Sequence, residues 1–237
     1  MMSEEAKAVQ EVAKTSNTAI RAAEKMGKFI ANIAGVPMAT ALGIVDDKLR
    51  YIRWENQLNL MEKANEKLAD RRPYHPTRAI PLQFAVPLVE AASLEDDDYL
   101  QDLWATVLVN AADETVEVQV RRAFVSILED MTSLDVQILR VIGAASQKSP
   151  YKLSALSRGF YLGYLPEKAA ELDEFQNDIP SPKKDVRISV GNLQRLNVLS
   201  ISQSVDGVFD PDHAELTSLG EELLRLCSDQ ENEAENV

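Results

Sequence analysis

The sequence predicts a mainly α-helical protein: a helical N-terminal domain followed by a C-terminal winged-helix-like module that holds a small β-hairpin. Three observations carry this. Apolar residues recur at helical spacing from Glu4 to Ser146, with no sustained period-two run before that point. Two short β-like runs flank Asp206-Gly207, a hairpin signal, late in the chain. Around them the order is helix, helix, helix, hairpin, helix, that of a winged helix. The predicted division is a helical domain over residues 1–131, a winged-helix-like domain over 132–227, and an acidic tail, expected to be disordered, over 228–237.

Residues Glu4 to Ala34 read as one long helix. Its narrow apolar seam runs through Val9, Val12, Ser16, Ile20, Ala23, Met26, Ile30 and Ile33, with Lys7, Lys14, Arg21 and Lys28 on the far side. So thin a stripe suits association better than an ordinary core face. Val9, Val12, Ile20, Met26, Ile30 and Ile33 are therefore the candidate partner interface, with a homo-oligomer as the simplest outcome. Small residues in the seam, Gly27 among them, would allow close packing.

Residues 29–45, from Phe29 to Val45, carry no charge, and Pro37 should break the helix there. The run is shorter than the ~20 apolar residues of a membrane span. It reads as a helix end and a buried or interfacial connector, with peripheral membrane contact as the alternative. Asp46 to Asp70 is the next helix, with Leu49, Ile52, Leu60, Met61, Ala64 and Leu68 on its apolar face. Arg71 to Pro76 is a loop bracketed by prolines.

Two helices then form the predicted centre. The first, opened by Pro81 and kinked at Pro87, is apolar on every side and should be buried. The second is amphipathic through Leu100, Leu103, Trp104, Val107, Leu108 and Ala111, and should pack over the first. Ser93 reads as its cap, and Glu95, Asp96, Asp97 and Asp98 as acids that favour a helix N-terminus.

A helix over Val118 to Asp130 follows, then a capping box, Thr132-Ser133-Leu134-Asp135, opening a helix to Ser146 with Leu134, Ile138, Val141, Ile142 and Ala145 on one face. Short helices are expected at Tyr151–Arg158 and Pro166–Phe175. The module closes with a helix at Ser189–Asn197, a strand at Leu199–Ser204, a return strand, and a final helix aligning Leu216, Leu219, Leu223 and Leu226.

Chemistry leaves few traces. His75, His213 and Cys227 are the only histidines and thiol, too scattered for a zinc site. A lone cysteine forms no intramolecular disulfide, which fits a reducing, cytoplasmic setting, and the charged N-terminus lacks the pattern of a signal peptide. No phosphate-binding glycine loop and no nucleophile elbow occurs. Arg71 and Arg72 stand too close to His75 for a helical defence nuclease. No catalytic, cofactor-binding or metal-binding residue is assigned, and no cofactor is expected.

The net charge of −13 opposes non-specific nucleic-acid binding by the whole chain. A local basic cluster nevertheless sits at the third helix of the module. Lys183, Lys184, Arg187, Gln194 and Arg195, with Asn192 and Asn197, are the candidate nucleic-acid contacts, opposed by Asp206, Asp210 and Asp212 in the presumed wing.

The stretches GKFIANIAGVPMATALGIVDDKLRYIRWENQLNLMEKA, AIPLQFAVPLVEAASLEDDDYLQDLWATVLVNAAD and RRAFVSILEDMTSLDVQIL, with the later GNLQRLNVLSI and LTSLGEELLRLC, carry a resemblance. In these the chain resembles the bacterial Abi-alpha (abortive infection alpha) family. The resemblance implies a role in phage exclusion and brings no active-site motif with it. The first expectation is thus a non-catalytic sensor or effector of phage defence acting by protein contacts. The alternatives are a winged-helix nucleic-acid-binding regulator and a membrane-acting effector using residues 29–45.

Overall fold

The computed structural model describes residues 21, 23–45, 54–71, 75–148, 160–171, 180–201 and 213–228. The chain is mainly helical, with a small antiparallel sheet near its C-terminal end. Two units divide it. One takes the described residues up to Val116 together with Val120–Val125, and the other takes Glu117–Gln119 and those from Ser126 onward.

In the first unit, helix α1 (Ala23–Ala34) stops at Gly35. Gly35 has φ +62°, a left-handed conformation that costs glycine least, and Val36 N–H donates back to the Ala31 carbonyl at 3.2 Å. Pro37 then caps α2 (Met38–Ile44), so the chain breaks where the proline predicts and turns through 118°. Gly27 lets the two helices close up, since a β-carbon there would stand 2.7 Å from Leu42 Cδ2. Residues before 21 and residues 46–53 lie outside the described set, and with them most of the long N-terminal seam, Leu49 and Ile52.

Helices α3 (Trp54–Ala69), α4 (Leu82–Ser93) and α5 (Asp98–Ala111) pack on one another. Leu60, Met61, Ala64 and Leu68 are buried, as the α3 periodicity predicts. Pro81 caps α4 and Pro87 lies inside it. The order of burial reverses the expectation. Eleven of the fourteen residues of α5 are buried against seven of the twelve in α4, so α5 is the more central helix. The reason is polar: Gln101, Thr106 and Asn110, which read as an outer face, are buried too. Gln101 donates to the Ala92 and Glu95 carbonyls, and Thr106 Oγ1 to the Asp102 carbonyl at 3.1 Å.

The cap of α5 also moves. Ser93 ends α4, its hydroxyl donating to the Glu90 carbonyl, whereas Asp97 accepts from the N–H groups of Tyr99 and Leu100. An aspartate suits that position better because its charge also meets the positive end of the helix dipole. Lys63 and Lys67, one helical turn apart on α3, and Arg71 just beyond its end pair with Asp98, Asp102 and Asp113 at 3.0, 3.1 and 2.9 Å. Arg78 closes the other end of α5 by donating to the Asn110 and Ala111 carbonyls.

In the second unit α6 (Arg122–Glu129), which the unit boundary crosses, leads to α7 (Ser133–Lys148). The predicted capping box is present: Asp135 accepts from Thr132 N–H at 2.7 Å, and Asp135 N–H donates to Thr132 Oγ1 at 3.3 Å. The buried face of α7 is turned from the predicted one. Val136, Ile138, Leu139 and Ile142 are buried, whereas Leu134, Val141 and Ala145 are half-exposed. The carboxylate of Asp135 has to face inward, as described below, and that fixes the rotation.

Strands β1 (Phe160–Tyr161), β2 (Ala170–Glu171), β3 (Leu199–Ile201) and β4 (His213–Leu216) form one antiparallel sheet in the order β2-β1-β4-β3. Of the helix expected at Pro166–Phe175, the described residues 166–171 are non-helical and end in β2, residues 172–175 lying outside the described set, and Leu162–Tyr164 is a 3-10 turn. Leu162 and Leu165 are buried, which holds this segment against the sheet instead of letting it coil. β3 begins at Leu199 as the predicted strand does, and its partner is β4, with Ser200 opposite Glu215; β4 lies in the stretch expected to open the final helix, and the return strand expected just after Asp206-Gly207 lies outside the described residues. Leu216 therefore belongs to a strand, and α9 (Ser218–Cys227) starts after it, because Thr217 Oγ1 accepts from Gly220 N–H at 2.9 Å. Gly220 is required there, since a β-carbon would fall 2.1 Å from the Val198 carbonyl oxygen. The Asp206-Gly207 turn, the helix expected at Tyr151–Arg158 and the tail beyond Ser228 lie outside the described residues.

Candidate functional site

Helix α8 (Lys184–Arg195) holds the predicted basic cluster, and it starts five residues before the expected Ser189. Val186, Ser189, Val190 and Leu193 are buried and set its rotation. The helix ends at Leu196, and Asn197 leaves it at φ 58° while Val198 N–H donates to the Leu193 carbonyl at 2.9 Å. That rotation leaves Lys184, Arg187, Ile188, Gly191, Gln194 and Arg195 exposed on one stripe, at i, i+3, i+4, i+7, i+10 and i+11.

The inner edge of α8 is fastened to α7 by one carboxylate. Asp135 is 1% exposed and accepts from Ser189 Oγ, from Asn192 Nδ2 at 3.0 Å, and from Thr132. Asn192 also donates to the Asp130 carbonyl at 2.8 Å, and its Oδ1 accepts from Arg195 at 2.8 Å. Arg195 in turn pairs with the Asp130 carboxylate at 3.0 Å.

Of the predicted contact residues, Asn192 and Arg195 are thus engaged inside the module. Lys183 pairs with Glu167 at 2.8 Å. The hydrogen bond from Lys183 holds the Glu167 carboxyl below its usual range, and the same bond raises the Lys183 ammonium. Both pairs are exposed, so each contributes little to stability and can exchange for another anion. Arg187 Nε donates to the Pro182 carbonyl at 3.3 Å. Lys184 and Gln194 project outward.

Two residues of the stripe escape the sequence reading. Ile188 is 65% exposed, one of two large apolar side chains so placed among the described residues, the other being Leu94 in the first unit. Gly191 is exposed beside it, with open space where a side chain would stand. The missing signal was the helix start. Once the helix begins at Lys184, the same spacing that buries Val186 and Val190 turns Ile188 outward.

The other candidate interface divides differently. Met26, Ile30 and Ile33 are at most 2% exposed, packed in the core of the first unit, while Val9, Val12 and Ile20 lie outside the described residues. An open groove of about 530 Å³ lies between α1 and α3, floored by Phe29 and Met61 with Lys25, Lys28 and Glu62 at its rim. Each acid of Glu95–Asp98 is committed within the protein: Glu95 to Asp97 N–H, Asp96 to Asn56, Asp97 to the cap, Asp98 to Lys63. Cys227 is fully buried, which pushes its thiol up to about 12 against the opposing charge of Arg140.

No single helix among the described residues is long and apolar enough to cross a membrane, although α1 and α2 together pass that test as a bent pair. A family model described as abortive infection alpha matches residues 55–234, three quarters of the chain and all of the elements from α4 to α9. No curated protein and no solved structure matches the chain.

Proposed function

The chain belongs to the abortive infection alpha family, and we propose that within phage defence it is a non-catalytic sensor or effector acting by protein contact through the outer stripe of α8. The observation that carries this reading is Ile188, an exposed apolar side chain set among Lys184, Arg187 and Arg195 on a helix whose own anchoring is already complete. An apolar centre with a charged surround is the anatomy of a contact patch. The test is phage challenge of cells carrying the wild-type chain or Ile188→Asp. Loss of protection by a variant that still folds supports the reading, and undiminished protection refutes it.

A second reading is a winged helix that binds nucleic acid in the cytoplasm. The succession of α7, α8, β3, β4 and α9 favours it, as does the exposed basic α8. Against it, Asn192, the side chain best suited to an adenine edge, is held by the Asp135 carboxylate and the Asp130 carbonyl. A membrane-acting role for residues 29–45 has support in the bent α1–α2 pair, but insertion would have to pull Phe29, Ile30, Ile33, Ala41 and Val45 out of the first unit's core. A homo-oligomer through the N-terminal seam now rests on Val9, Val12 and Ile20.

A further inference from the structure

We infer that the partner received by the outer stripe of α8 is an acidic protein segment that places an apolar side chain on Ile188 and brings its backbone close at Gly191. The inference rests on the contact reading above and specifies the chemistry of the partner.

Charge selects the class. Lys184, Arg187 and Arg195 share the stripe with Ile188; Arg195 reaches the exposed Asp130 in a pair that can exchange for another anion, and Asp185, the one acid of the helix, borders the stripe three residues before Ile188. The chain as a whole carries a net charge of −13. A basic stripe on so acidic a chain is a local reversal of sign, which steers an anionic surface onto it. A second copy docking by the same patch would set cations against cations, as two-fold contacts repeat one surface on both sides. The partner is therefore a different, acidic surface.

The apolar centre then separates an acidic protein from a nucleic acid. A nucleic-acid duplex offers phosphates to the cations and only thymine methyls in the major groove to Ile188, a smaller apolar contact than a Leu or Phe side chain gives. An acidic segment with one Leu or Phe satisfies both parts of the stripe. Gly191 adds shape: one turn beyond Ile188 the helix has no side chain, and a β-carbon there would meet nothing within 4 Å. The resulting notch admits a partner's main chain or side chain next to Ile188. A glycine inside a helix is otherwise a loss of about 1 kcal/mol against alanine, so its place beside the exposed isoleucine has a use.

The test is fluorescence anisotropy on the full chain with three labelled probes: a short synthetic helix of glutamates carrying one Leu pair at i and i+4, the same helix with both Leu replaced by Ser, and a short DNA duplex. Expected is binding of the Leu-bearing helix, weakened about tenfold by the Ser replacement and by Ile188→Asp, a loss typical of a contact-centre residue. Gly191→Gln, which strengthens the helix itself, should weaken binding as much, so loss of fold cannot explain the result. Equal binding of the Ser helix, no binding of the Leu helix, or tighter duplex binding that ignores Ile188→Asp each overturns the inference. The phage assay separates the two levels. Protection lost in Ile188→Asp with no Leu-helix binding leaves the contact face standing and removes only the acidic partner.

Discussion

Replacing Asp135 by Ala should uncouple α8 from α7, and the size of the effect can be worked out from its partners. The carboxylate closes the capping box at Thr132, and loss of such a cap costs about 1 kcal/mol. It also accepts from Ser189 Oγ, and Ser189 is itself 4% exposed, so its hydroxyl would lose its partner where water does not reach. An orphaned buried hydroxyl costs about 1–3 kcal/mol. Asn192 adds less, because it keeps its bond to the Asp130 carbonyl. The expected loss is therefore about 2–4 kcal/mol. In Asp135→Ala/Ser189→Ala the orphan is gone, so the double variant should be more stable than the sum of the two single losses by about 1 kcal/mol or more. Urea unfolding followed by far-ultraviolet circular dichroism measures this. Both tryptophans, Trp54 and Trp104, lie in the first unit, so their fluorescence gives an internal reference that should move less. A loss under about 0.5 kcal/mol, or strict additivity of the two substitutions, would refute the clasp.

Trp104 is 3% exposed at the centre of α5, and Trp104→Ala should cost about 3–5 kcal/mol in chemical denaturation. Gly220→Ala should destabilise by about 1–3 kcal/mol, because its β-carbon meets the rigid Val198 carbonyl, whereas Gly191→Ala should raise thermal stability by close to 1 kcal/mol. Burial raises the Asp113 pKa, but the bonds from Thr115 and Arg71 outweigh it, and the net shift is below the usual 3.8. A carboxylate with a lowered folded pKa stabilises above its unfolded pKa and loses that stability as the pH falls through the folded value. Asp113→Asn should therefore narrow the gap to wild type only below about pH 4 in acid titrations.

How legible these features were depended on whether one residue's period or two residues' meeting decided them. The break at Pro37, the buried face of α3 through Leu60, Met61, Ala64 and Leu68, and the box from Thr132 to Asp135 are local, and spacing alone reveals them. The centrality of α5 was hidden because Gln101, Thr106 and Asn110 look like a wet face until their carbonyl and side-chain partners are known. β1 and β2 are two residues each, too short for any alternation to register, and only the pairing of β1 with β4 and of β2 with β1 makes them strands.

The candidate site illustrates the same limit through charge. Lys183, Lys184, Arg187 and Arg195 form one basic cluster in the sequence, yet Glu167 and Asp130, 16 and 65 residues away, take up two of the four. A cation's meaning depends on the acid that reaches it first, and that acid is set by tertiary packing. Ile188 shows the converse. Its exposure follows from helical period alone, given the right start of α8, and the start is set by Val186 being buried one turn ahead of Val190. A sequence reading anchored on that buried pair would have turned Ile188 outward and placed an apolar residue, instead of Asn192, at the middle of the exposed face of α8.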